Sequence, residues 1–221
     1  MTLMKCINTL LIAVTLFVCA PAMAQWAEFP TGDLDARTMR IQAKVESLYE
    51  RGDYKRAHFI YSNELARQGD KYAQYMTGYM YLMGQGVAKD PVKASAWYRI
   101  AAERRAPEFI AVRDQVLQSL NDEQRARSDE LFVELRKEYS DLVIIMGLLV
   151  EDLKALKTAS AGSQPSGNAQ TRLDFITTRL DLDPIPAEQV ERQVDVLWER
   201  VRDYLSAVDD EAAGLYAAPD P

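Results

Sequence analysis

Cysteine is almost missing from this chain: of 221 residues only Cys6 and Cys19 carry a thiol, both within the first twenty positions. Histidine occurs once, at His58. Zinc sites draw several ligands from these two residue types, so no metal is expected, and the chain beyond residue 20 can form no disulfide framework. Its folding must rest on packed apolar surface alone. Positive charge is also in the minority, with 26 Lys and Arg against 33 Asp and Glu and a formal charge of -7. Such a surface repels phosphate backbones and anionic lipids, which argues against nucleic acid as a partner.

Motifs of known chemistry are lacking as well. No G-x-S-x-G or S-x-x-K signature occurs, and no glycine-rich loop follows a strand to cradle a phosphate. The acids at Asp33-Leu34-Asp35 and Asp181-Leu182-Asp183 do not continue into a calcium loop. No cofactor and no catalytic residue is therefore assigned. Paired carboxylates acting as acid and base are defined by separation in space, not by spacing in sequence. An envelope enzyme, such as a wall-glycan or peptide hydrolase, thus stays open as an alternative.

The present features begin at the N-terminus. Lys5, an apolar stretch from Thr9 to Ala20 and the small-residue pattern Ala22-Met23-Ala24 read as a secretory signal peptide over 1–24. Its apolar core is shorter than the roughly 20 residues a membrane-spanning helix needs, and no later segment reaches that length. The expectation is a soluble exported protein, periplasmic or secreted. A competing reading makes Cys19 a lipid-attachment site, but Val18 stands where that signal wants a small residue.

After an extension over 25–37, apolar residues recur at helical spacing. Ile41, Val45, Leu48 and Tyr49 lead to a break at Gly52-Asp53, and Ala57, Ile60, Tyr61 and Leu65 lead to a break at Gly69-Asp70. That predicts an antiparallel hairpin over 38–70. A second hairpin over 71–106 carries Ala73, Gly78 and Tyr81 on its first helix, then the turn Gly84-Gln85-Gly86-Val87. Asp90 as N-cap and Pro91 at the first helical position open its second helix. Ala57 and Ala94 stand 37 positions apart, as do Tyr61 and Tyr98. A period of that size marks stacked helical hairpins. Gly78 and Ala94 would let two helices approach closely, Tyr81, Trp97 and Tyr98 would fill the wedge between hairpins, and Gly84 and Gly86 would supply positive φ.

These residues carry a resemblance. Ala73, Gly78, Tyr81, Gly84, Gly86, Val87, Asp90, Lys93, Ala94, Trp97, Tyr98, Ala101 and Ala102 make residues 72–105 similar to a Sel-one-like repeat, a relative of the tetratricopeptide repeat. Thr77 stands in place of the usual Leu, and Arg105 in place of a closing Gly. Residues 38–70 look more like a plain tetratricopeptide hairpin. The resemblance implies an all-α fold, a short α-solenoid of stacked antiparallel hairpins with a concave binding face. It also implies a non-catalytic scaffold or adaptor for another protein of the bacterial cell envelope.

Beyond the second hairpin, Phe109, Val112, Val116 and Leu117 mark one helix, and Asn121 with Gln124 forms a capping box opening the next. Capping helices are expected over 107–157, with a bend or break near Ser140 or Gly147. The stretch Leu142 to Val150 is apolar nearly all round and must be covered, with another subunit as one candidate. Residues 158–170 have the composition of a flexible linker spanning about 20 Å. A C-terminal helical segment follows over 171–208. There Val190, Val194, Leu197, Val201, Tyr204 and Val208 form a seam that suits back-packing or a coiled coil. The tail 209–221 is expected to be disordered. Self-association through Leu142–Val150 or the last helix would make a self-assembling structural protein, a third reading.

On a tetratricopeptide-like arrangement, the first helix of the second hairpin turns Tyr72, Tyr75, Met76, Tyr79, Leu82 and Met83 toward the concave face. Met39, Gln42, Glu46 and Tyr49 lie beside them. Aromatics and methionine supply adaptable contact area for a peptide or helix. Tyr49, Tyr72, Tyr75, Met76, Tyr79, Leu82 and Met83 are therefore the expected partner-binding residues. The bland alternative is that terminal helices already occupy the groove.

Overall fold

The computed structural model describes residues 36–158 and 167–215. Residues 1–24, which the sequence reading assigns to a signal peptide, residues 25–35 of the expected extension, 159–166 of the expected linker and 216–221 of the expected tail lie outside the described residues. Among those described there is no strand. The order is α1 (Ala36–Glu50), α2 (Tyr54–Ile60), α3 (Lys71–Met83), α4 (Pro91–Ala101), α5 (Pro107–Ser119), α6 (Asp122–Tyr139), α7 (Asp141–Thr158), α8 (Gly167–Arg179) and α9 (Ala187–Leu215). A π-helical turn over Tyr61–Leu65 and a tight turn over Ala66–Gln68 prolong α2, and Ala102–Arg104 prolongs α4. Consecutive helices pack on one another except α5 and α6, α3 on α4 most extensively, and α6 packs back on α4. This is an all-α array of sequential helix pairs.

Local chemistry sets these boundaries. Gly69 closes the first hairpin with φ +82°, and Asp70 then caps α3 through an Oδ1 that accepts from the Ala73 N–H at 3.0 Å. Asp90 caps α4 by accepting from the Val92 and Lys93 N–H groups, with Pro91 behind it. The expected capping box is present: the Asn121 side chain accepts from the Gln124 N–H at 2.9 Å, and Gln124 accepts from the Asn121 N–H at 3.0 Å. Helices α6 and α7 part at Ser140, whose ψ of 148° is extended. Gly147 continues α7 without a break.

At Gly78 the close approach of α3 and α4 is direct. A Cβ there would lie 3.2 Å from the Ala94 carbonyl oxygen, 3.2 Å from Trp97 Cβ and 3.3 Å from the Tyr98 ring. Gly86 has φ +75°, and a Cβ on it would press to 2.4 Å on the Tyr54 carbonyl. The Gly84–Gly86 turn thereby fixes the second hairpin against the start of α2.

Two larger apolar cores and two smaller clusters, around Ala101–Phe109 and around Ala94–Tyr98–Val116, result among the described residues. The first gathers Val45, Leu48, Ile60, Tyr61, Leu65, Met76, Met80, Trp97 and Ile100, with Tyr139 from the end of α6 closing it at 4.7 Å from the Trp97 ring. The second joins Leu142, Ile145, Met146 and Leu149 of α7 to Leu173, Ile176, Val190, Leu197 and Val201 of α8 and α9. The apolar run of α7 thus turns Leu142, Ile145, Met146 and Leu149 into this core, while Val143, Ile144, Leu148 and Val150 stay half-buried. Burial of each such Leu or Ile stabilises by about 2 kcal/mol. Helix α8 begins at Gly167, inside the stretch whose composition reads as linker, and α9 continues to Leu215, past 208. Ion pairs of Arg172 with Asp152 and Lys157 with Glu191 tie α8 and α9 to α7.

A buried polar cluster joins the two cores. Lys71 Nζ lies 2.9 Å from Glu103 Oε2 and 3.0 Å from Asp141 Oδ1, and it also donates to Gln74 Oε1 and the Ile100 carbonyl. Arg104 grips the same Asp141 carboxylate with Nε at 2.8 Å and Nη2 at 3.0 Å. Gln74 Nε2 donates to the Ala66 and Tyr139 carbonyls. Two cations and two carboxylates balance, so the first turn of α7 is anchored onto the repeat without a stranded charge.

Candidate functional site

Helices α1 and α3 run side by side in the same direction. Thr38 and Gln42 near the start of α1 bond Gln68 and Asp70 at the start of α3, while Tyr49 at the end of α1 donates its hydroxyl to Gln85 Oε1 beyond the end of α3, at 2.8 Å. One face is therefore shared along both helices, and rings run across it. Tyr49 meets Tyr54 edge-on at 5.3 Å. Tyr61 meets Tyr72 edge-on at 6.3 Å, Tyr72 stacks on Tyr75 at 6.5 Å, and Tyr75 stacks on Phe109 of α5 at 5.1 Å. Tyr79 and Leu82 pack with Val112 against Ala94, Tyr98 and Val116.

Six of the seven expected binding residues lie at least partly open. Tyr49, Tyr72, Tyr75, Tyr79 and Leu82 are half-buried, and Met83 is 53% exposed. Met76 is the correction. It is 7% exposed and sits in the first core with Trp97 and Met80. Helix α3 is packed by the first hairpin on one side and by α4 on another, so its open stripe is narrower than the spacing of 72, 76, 79 and 83 implies. Met39, 57% exposed on α1, lies on the same helix as the half-buried Gln42 and the exposed Glu46.

The face is polar at its edges and neutral in its rings. Burial, with help from Tyr79, pushes the Tyr49 phenol up to about 12, so it stays a hydrogen-bond donor across the physiological range. Burial raises Tyr72 as well, and the Glu46 and Asp70 carboxylates add to the shift. Tyr98 behind them is raised chiefly by burial. What such an arrangement offers is contact area: flat rings with few rotatable bonds, hydroxyls at the rim and adaptable methionines beside them. Among the described residues, no group of three or more His, Cys, Asp or Glu side chains could hold a metal ion. No helix described is long and apolar enough to cross a membrane.

Sequence spacing missed Phe109 as part of this row and missed the Lys71 cluster that fixes its frame. Phe109 had a signal, since it opens the next helix as Tyr72 opens α3. The cluster had none, because its charges come from separate stretches of chain.

Paired antiparallel helices, a glycine-spaced second hairpin and a ring-lined face define a helical-repeat protein. Residues 71–105, which span α3, the Gly84–Gly86 turn and α4, match the Sel1 repeat family, and the chain carries that repeat. No curated protein and no solved structure matches the chain. Sel1 repeats typically mediate protein–protein interaction and are usually non-catalytic binding modules.

Proposed function

We propose that this chain is a non-catalytic adaptor of the cell envelope that holds a peptide or helix of a partner protein against the face shared by α1 and α3. Tyr49, Tyr72, Tyr75 and Tyr79 supply rigid contact area, and Met39 and Met83 adapt to the partner at the margins. The observation that carries this reading is the half-buried Tyr72, Tyr75 and Tyr79 on a Sel1 hairpin, with Tyr75 stacked on the buried Phe109 of α5, and two methionines, Met39 and Met83, more than half exposed on α1 and α3. Export to the periplasm or beyond is supported by Lys5, the Thr9–Ala20 apolar stretch and Ala22-Met23-Ala24.

Capture from envelope extract tests it. The native chain is compared with Tyr79→Ala on α3 and with Phe59→Ala on α2, where Phe59 is 59% exposed. Circular dichroism first shows that both variants keep their helix content. The partner should be lost with Tyr79→Ala and kept with Phe59→Ala. Retention of the partner by Tyr79→Ala, or its loss only with Phe59→Ala, would place binding elsewhere.

A further inference from the structure

The face shared by α1 and α3 is sorted by charge as well as by ring. On α1 its stripe is Met39, Gln42, Glu46 and Tyr49, and α3 adds Tyr72, Tyr75 and Tyr79. No Lys or Arg stands on either stripe. The cations of α1, Arg37, Arg40 and Lys44, are exposed, but at about 100° per residue they fall about 120° or more around the helix from Glu46. Lys71, the sole cation of α3, is turned inward to Glu103 and Asp141. Glu46 is exposed and forms no ion pair among the described residues.

Its neighbourhood is fixed by the helices. Gln42 Nε2 donates to Asp70 Oδ2 at 3.1 Å, so Glu46, one turn beyond Gln42 on a helix parallel to α3, is level with the turn from Tyr72 to Tyr75. Burial chiefly raises the Tyr72 phenol, and the charges of Glu46 and Asp70 add to it, so both carboxylates act on that ring. Asp70 is already engaged, by Gln42 and by the Ala73 N–H. Glu46 is the carboxylate left to a partner. A cation placed there is drawn both by the carboxylate and by the negative face of a ring. An acid would meet like charge, and a purely apolar residue would strip water from Glu46 without replacing it.

We propose that the partner segment is basic and seats a Lys or Arg side chain between Glu46 and Tyr72, at the start of the α1/α3 face. This names the chemistry of the partner and rests on the function proposed above. The tyrosines supply contact area, and Glu46 sets which sign of charge is accepted.

Fluorescent peptides of one Ala- and Leu-based helical framework, carrying Arg, Lys, Gln or Glu at the same two positions, test this by anisotropy against protein purified from cells expressing the full chain. The Arg and Lys peptides should bind severalfold more tightly than the Gln peptide and the Glu peptide most weakly, with the spread narrowing as salt is raised. Glu46→Lys should invert that order. Glu151→Lys, at an exposed position of α7, changes the net charge equally and should preserve it. Circular dichroism checks that both variants keep their helix content. Preference for the Glu peptide, no binding by any peptide, or an equal response to the two charge reversals would overturn the proposal. Binding that ignores peptide charge but is lost with Tyr79→Ala defeats this inference alone and leaves the adaptor reading standing.

Discussion

Lys71 Nζ sits 3.0 Å from Asp141 Oδ1, with the two side chains only 1% and 6% exposed, and the contact welds the start of the Sel1 hairpin to the start of α7. Burial alone would raise the Asp141 carboxyl, but Lys71 and Arg104 overcome it and hold the group below the usual carboxylate range. Lys71→Met leaves Glu103 without its lysine and Asp141 with Arg104, and should cost about 3 kcal/mol, the scale for stripping one partner from a buried pair. Urea unfolding monitored by circular dichroism measures it, and a loss under about 1 kcal/mol would show that the cluster is solvated or yielding. The acid dependence follows in sign. The folded carboxyl resists protonation more than the unfolded one, so its contribution is complete above the ordinary carboxylate range and fades as pH falls through the lowered folded value. Asp141→Asn should therefore flatten the acid limb of the stability curve.

A second acid effect is expected at higher pH. His58 Nε2 is shut from solvent with no hydrogen-bond partner, and its ring meets Tyr81 edge-on at 5.1 Å. Desolvation pulls its pKa below the ordinary imidazole value of 6.5. The unfolded chain thus takes up a proton before the folded one does, and stability declines as pH falls below about 6.5. His58→Leu should remove that decline. Urea midpoints followed across this range for both proteins decide the matter, and parallel curves would assign the pH dependence to other groups.

The glycines separate by what surrounds them. At Gly78, better helix propensity would favour Ala by about 1 kcal/mol, but crowding against Ala94, Trp97 and Tyr98 costs about 1–3 kcal/mol, so Gly78→Ala should be neutral to destabilising. Gly86→Ala should be worse, since positive φ adds to a 2.4 Å approach to backbone. At Gly147 in α7 an added methyl would meet nothing within 4 Å, and Gly147→Ala should stabilise by about 1 kcal/mol. Thermal unfolding ranks the three, and an equal response would show that helix spacing at Gly78 is not tight.

Much of this frame can be read from local sequence because local groups build it. Gly78 with Ala94, the positive-φ Gly84 and Gly86, Asp90-Pro91 and the Asn121–Gln124 box each act within a few residues or one hairpin, and each stands where its spacing places it. The Lys71 cluster is different in kind: it joins the start of α3, the end of α4 and the start of α7, and charged residues in sequence look alike whether solvated or sealed. Met76 escapes periodicity for a related reason, since a helix packed on two sides leaves too narrow an open stripe for every apolar residue on one face. The start of α8 at Gly167 is hidden by a polar, small-residue composition, and it is the packing of Ala169 and Leu173 into the second core that stabilises it.

Site-specific photo-cross-linking tests the central claim most directly. A photoreactive side chain is placed at Met83 and at Met39, both more than half exposed on the α3 and α1 helices, and at Phe59 on α2 as the control. Partner adducts should form from positions 83 and 39 and be suppressed by Tyr79→Ala, with little or none from 59. Adducts from 59 alone, or adducts from 83 that persist undiminished in the Tyr79→Ala background, would contradict binding on the ring-lined face.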